Sequence, residues 1–207
     1  MPNPDHLAQL RKGADTWNAW RRENRAVLPD LRQADLRGEN LRNANLSKAD
    51  LRGAILRNAK LGLASLYSAN LYDAVLVKAD LTGAKLQEAL LRRANLSGAI
   101  LRQADLSGAG LFPGAGANLS AAILNEADLS GANLRQVNLV QAKLHKAKLY
   151  KANLFLTDFS GAELNGAKLC GADLRRANLV GTVLKGADLT GCRVHGVSAW
   201  GLKLDRT

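Results

Sequence analysis

The sequence predicts an all-β solenoid: a rod of short, stacked coils. Three observations predict it. A leucine recurs every fifth residue, from Leu31 to Leu111 and again from Leu119 to Leu189. With Phe159 and Val194 standing in for leucine, there are 33 such units, 17 before a short break and 16 after it. The residue two places before the centre is alanine in 27 of them. A period of five is neither the 3.6 of a helix nor the 2 of a strand. Fixed self-similarity means a solenoid, in which each unit buries little alone and stacks on its neighbours. Residues two apart in extended chain face the same way, so the alanine and the leucine point inward. The other three positions point outward and are rich in Asn, Asp, Arg, Ser and Gly. Glycine often follows the centre by two, as at Gly38, Gly53, Gly98, Gly131 and Gly186. Glycine accepts the dihedrals of a tight corner.

Units such as Ala34-Asp35-Leu36-Arg37-Gly38 and Ala132-Asn133-Leu134-Arg135-Gln136 give the chain a close resemblance to the pentapeptide-repeat proteins. The resemblance covers about residues 29–194. It implies a right-handed quadrilateral β-helix with four units per coil; the number four and the handedness come from the family. The charges support the number independently. In a coil of 20 residues, outward side chains 20 apart stack at about the 4.8 Å strand spacing. Opposite charges are favoured at that distance. Within the two halves there are eight opposite pairs at separation 20, including Asp73/Arg93, Asp128/Lys148 and Asp173/Arg193, against four like pairs. At separation 15 the counts are three and seven, and at 25 four and seven. About eight coils at that spacing make a rod roughly 40 Å long.

An open β-helix exposes core and unpaired backbone at each end, so caps are expected. In residues 1–28, Asn3-Pro4-Asp5 reads as a helix N-cap followed by proline in the first turn. Leu7, Leu10, Ala14 and Trp17 fall on one face of an amphipathic helix running from Asp5 to about Arg25. Trp17 and Trp20 are expected to plug the first coil, and Pro29 opens the repeats at 29–194. The break, Phe112-Pro113-Gly114-Ala115-Gly116, inserts three residues and is expected to form a short bulged loop at 112–118. Residues 195–207 keep apolar side chains at Val197, Trp200, Leu202 and Leu204 but lose the period. They are expected to cap the far end or to begin a connection. Both terminal segments resemble bacterial family members that continue into a Toll/interleukin-receptor-like domain.

The chain has 207 residues, a net charge of +11 and a sequence pI near 10.1. Such a surplus suits acidic partners: nucleic acid, an anionic surface or an acidic protein. No stretch of 18 apolar residues suggests a membrane span, and no apolar leader is visible. Cys170 should point out and Cys192 in, so a disulfide between them is not expected, and a cytoplasmic location is the default.

Nothing marks a catalytic site. The histidines His6, His145 and His195 are scattered, no His/Cys/Asp group has metal-ligand spacing, and no glycine-rich loop opens a helix. The aspartates before the central leucines belong to the repeat. A convex rod lacks the concave pocket that small-molecule chemistry needs. The expectation is a non-enzymatic protein with no cofactor and no metal. Function should lie in the outward residues. One candidate binding surface is Arg32, Arg37, Arg42, Arg52 and Arg57, close to Arg21, Arg22 and Arg25 of the cap and the least neutralised basic region. The run Lys143, His145, Lys146, Lys148, Tyr150 and Lys151 is partly offset by Glu126, Asp128 and Glu163. A candidate apolar interface comprises Ile55, Tyr67, Tyr72, Val75 and Val77, because contiguous exposed apolar residues mark interfaces. Phe155 should stack between Arg135 and Arg175. The leading expectation is a protein–protein interaction scaffold or targeting module, monomeric or paired end to end. The alternative is nucleic-acid or anionic-surface binding through the arginines. DNA mimicry against gyrase, known in the family, is disfavoured by the positive charge.

Overall fold

In the computed structural model, which describes residues 1–107, 109 and 117–204, the chain forms a right-handed, four-sided parallel β-helix with a helical cap at its N-terminal end. The bridges carry the architecture. Asp30 pairs with Asp50, Asp35 with Ile55, Asn40 with Lys60 and Asn45 with Ser65, each 20 residues on. These four series define the first, second, third and fourth sides of the rod. On the second side, eight consecutive bridges lead from Asp35 to Ser198. Across the break the step becomes 23, as in Asn95 with Asn118 and Asp105 with Asp128. The three extra residues therefore leave the register intact. The expected loop itself lies almost wholly outside the described residues; Ala117 and Asn118 are already back in the coil.

The five-residue unit pairs most of its own backbone hydrogen-bonding groups. The N–H of the central leucine, of the residue before it and of the residue two after it each donate to carbonyls of adjacent coils. Leu56→Val75, Ile55→Ala34 and Asn58→Val77 are examples, at 2.7, 2.9 and 3.0 Å. The alanine N–H closes the turn, as Ala59 does onto Leu56 at 3.1 Å. That leaves the residue just after the centre. Where the residue two places earlier is Asn or Asp, the N–H after the centre donates to that side chain, as Ser97 does to Asn95 at 3.1 Å and Val140 to Asn138 at 2.9 Å. Buried amides are costly when unpaired, which explains why Asn and Asp recur before the central leucine. Inside, the alanines and leucines stack in columns that exclude water from Leu31 to Leu174. Where Thr157 and Thr182 replace alanine, their hydroxyls donate to the carbonyls of Leu134 and Phe159 at 2.7 and 2.9 Å.

The residue two after the centre adopts a left-handed backbone whether or not it is glycine. Among the described residues, nineteen non-glycine residues, Lys48, Ala121 and Leu156 included, have φ between 51° and 61°. The sequence shows only the glycines at these corners.

The cap is two helices, not one: α1 (Pro4–Arg11) and α2 (Ala14–Glu23). Gly13, at φ 101°, breaks the expected single helix. Asn3 caps α1 as expected, accepting from the N–H groups of Asp5 and His6. The bend lets Trp17 bury completely over the first coil, with its indole N–H donating to the Asn45 carbonyl at 2.8 Å. Trp20 is only half-buried and stacks on Trp17 at 5.1 Å. Arg21 is not part of any surface. It is buried and donates to the carbonyls of Val27 and Ser47, stitching α2 to the coil, and burial pushes its pKa down.

At the other end the coil continues past Val194. Asn178 bridges to Ser198 and Val183 to Lys203, with Gly196 and Gly201 at the corners. Val194, Ala199 and Leu204 occupy centre positions, so the period survives after the regular Ala–Leu pairing has ended. This segment extends the rod and does not fold over it: Trp200 is 80% exposed.

Candidate interaction surfaces

The five predicted arginines do not share a face. Arg32 and Arg52 lie on the first side, Arg37 and Arg57 on the second, and Arg42 on the third. Four of the five are engaged. Arg32, Arg37 and Arg52 each grip the aspartate two residues earlier, at 2.7, 2.6 and 2.6 Å. In each the guanidinium also donates a second bond through Nε. The hydrogen bond from Arg32 holds Asp30 at a pKa of about 2. Arg42 lies flat over Gly62, where an added Cβ would come within 3.0 Å of the guanidinium, and reaches Asp80 at 3.7 Å. Arg57 has no ion pair among the described residues. The patch is thus more neutralised than its sequence suggests, because an Asp-Leu-Arg unit closes on itself.

The apolar candidates also divide. Ile55, Val75 and Val77 share the second side, with Ile55 bridged to Val75. Tyr67 is on the fourth side. Tyr72 is on the first, where the guanidiniums of Arg92 and Arg93 lie 5.8 and 5.6 Å from its ring. Its ring lies beside these arginines and the exposed Leu90, on a different side from the Ile55/Val75/Val77 column. The lysine run splits between the third and fourth sides. Lys148 meets Asp128 at 3.7 Å. Glu163 instead takes His145 at 2.7 Å, and Glu126 accepts from Gln103 at 3.2 Å. Of the eight opposite pairs 20 apart, only Asp73/Arg93 and Asp128/Lys148 close as ion pairs. The register they pointed to is nevertheless the one observed.

Sequence reading missed a segregation of charge type. Among the described residues, the first side carries eight arginines (Arg32, Arg52, Arg92, Arg93, Arg135, Arg175, Arg176 and Arg193) and no lysine. The third and fourth sides together carry two arginines and ten lysines. Following the residue just after each centre down the first side gives Arg32, Arg52, Tyr72 and Arg92, then, past the break, Arg135, Phe155, Arg175 and His195. The signal was legible only with the three-residue shift at the break applied. Phe155 sits beneath Arg135 at 4.3 Å, with Arg175 at 5.8 Å, as the register predicts; Arg176 joins them at 6.0 Å.

The other chemistry is sparse. Among the described residues, no group of three or more His, Cys, Asp or Glu is placed to hold a metal ion. Cys192 points inward and donates to the Leu169 carbonyl at 3.0 Å, while Cys170 faces out. A hydrogen bond with Asp188 raises the Cys170 thiol, and the same bond, with help from Thr190, holds Asp188 at about 2. A raised thiol pKa makes a poor nucleophile. Among the described residues, no helix is long and apolar enough to cross a membrane.

The geometry defines a class first: a rod with a closed core whose variable chemistry lies on flat outer sides. The family model described as pentapeptide repeats matches it in eight copies, over residues 30–62, 46–83, 74–109, 115–149 and 157–196, and the chain belongs to that family. It is 40% identical to HetL, a protein involved in heterocyst differentiation regulation from the cyanobacterium Nostoc sp. strain PCC 7120. That match covers 81% of this chain and 77% of HetL, with a TM-score of 0.44. It is 32% identical to alr5209 of Nostoc PCC 7120, over 42% of this chain and 84% of that one, at a TM-score of 0.37. It is 22% identical to QnrB1, a plasmid-mediated fluoroquinolone resistance protein, over 84% of this chain and 88% of that one, at 0.46. No curated protein matches the chain.

Proposed function

We propose that this chain is a non-enzymatic protein–protein interaction scaffold. The observation that carries the reading is the separation of roles within the unit. Almost all inward side chains serve the core and the coil ladder takes most of the backbone donors, which leaves the outward side chains to distinguish one partner from another. Their distribution is uneven by side, with arginine and aromatic residues on the first and the Ile55/Val75/Val77 column on the second. A half-buried apolar column beside charged residues has the composition of an interface. Arg57, next to Ile55 and unpaired, is the member of the arginine candidates best placed to contribute. The second reading, binding to nucleic acid or another anionic surface, is favoured by the net charge of +11. That same charge has the wrong sign for a mimic of duplex DNA.

A photo-crosslinking residue placed in turn at Gln33, Lys78, Lys146 and Lys151 samples the four sides in the native cell. A discrete protein adduct from one or two sides is the expected result. Adducts with nucleic acid alone, or with nothing from any side, would overturn the reading.

A further inference from the structure

We propose that the guanidinium cluster around Phe155 docks an acidic segment of a protein partner that also carries leucine or phenylalanine. The inference rests on the scaffold reading and adds the place and the chemistry. Arg135, Arg175 and Arg176 converge on one ring, and Arg193 is bridged to Asp173 one coil further on. Asp173 is gripped by Arg175 at 2.6 Å, which leaves Arg135, Arg176 and Arg193 without an ion pair among the described residues. Like charges stacked coil on coil repel each other. The ring offsets part of this by holding the guanidinium planes. The planes keep their edges for planar anions, which arginine binds bidentately and lysine does not. The Nε of Arg135 is buried without a hydrogen-bond partner, an unmet donor within the cluster.

Leu156 supplies the second observation. It sits at a left-handed corner, φ 58°, where L residues are disfavoured and where Gly53 and Gly196 serve on the same side. It is 38% exposed, so it neither fills the core nor eases the turn. An exposed apolar residue beside arginines without an ion pair has the composition of a contact surface. The apolar group also decides between anions. A phosphodiester backbone offers leucine nothing. Phe155 is covered by arginine and has little face left for a base. An acidic peptide with interspersed apolar residues satisfies both the guanidiniums and Leu156.

The test is fluorescence anisotropy of the full chain with a labelled peptide of alternating glutamate and leucine. A glutamate-only peptide and single-stranded and duplex oligonucleotides are the comparisons. The glutamate–leucine peptide should bind the parent. Arg135→Gln and Arg176→Gln should each weaken it about tenfold, and Arg135→Lys, with charge kept, about threefold. Leu156→Gly should weaken it about fivefold without lowering the melting temperature, and should leave the glutamate-only peptide unaffected. Lys146→Gln, on the third side, should change nothing. Absence of binding, equal loss with Lys146→Gln, or tighter arginine-dependent binding of an oligonucleotide would each overturn the assignment. Protein crosslinks confined to another side would sink this inference and leave the scaffold standing.

Discussion

The left-handed corner is the most stringent claim about the backbone, and Gly131 and Ala121 test it in opposite directions. Both are exposed, both follow a central leucine by two, and their φ angles are 65° and 53°. A Cβ added at Gly131 would meet nothing within 4 Å, so packing does not enter. What remains is backbone energy. A left-handed conformation costs an L residue about 1–2 kcal/mol. Replacing glycine also removes unfolded-state freedom, which stabilises by about 0.4–1 kcal/mol. The difference for Gly131→Ala is a loss of about 1 kcal/mol, and for Ala121→Gly a gain of similar size. For a chain of this length that is a shift of about 2–4 °C in opposite senses. Urea melts followed by circular dichroism measure both. If Gly131→Ala stabilises the protein, the corner does not have the backbone described and the account of the repeat fails.

Two further predictions concern the core and the carboxylates. Leu139 is fully buried in mid-rod, and Leu139→Lys buries an unpaired charge at a cost of about 3–5 kcal/mol besides the lost packing. The single sharp denaturant transition should break up, and an unchanged midpoint would refute the inward assignment. Asp30 and Asp188 are held at about 2, by Arg32 and by Cys170 respectively, and Arg37 and Arg175 lower Asp35 and Asp173. A pKa lower in the folded state stabilises above the ordinary carboxylate range near 4 and loses that contribution as pH falls toward 2. Stability should therefore decline between about pH 4 and 2. Carboxyl NMR should show Asp30 titrating near 2 in the parent and higher in Arg32→Gln; a parent value near 4 contradicts the fork.

The rod and its coil length were legible in the sequence because they follow from repetition. An inward position recurs with the same residue in unit after unit, so Leu36 and Leu134 report the same environment. The α1 N-cap was legible because proline and asparagine act within a few residues. The bend at Gly13 was not, because one glycine in an amphipathic pattern does not say whether the helix tolerates it or stops. The end of the coil was misjudged because Val194, Ala199 and Leu204 keep the spacing while changing identity; Gly191, Gly196 and Gly201 carried the signal.

The surfaces needed the tertiary structure. Arg32, Arg37 and Arg42 are neighbours in sequence yet lie on three different sides, because each unit turns the chain through a corner. Arg135, Phe155 and Arg175 are far apart in sequence yet form one column, because one coil returns the chain to the same side. By itself the sequence determined the closed core, the period and the need for a cap, all of which depend on local chemistry repeated many times. Only the folded coil decided which charges close, since side-chain reach let Arg32, Arg37 and Arg52 take the aspartate of their own unit while only two of the pairs 20 apart met.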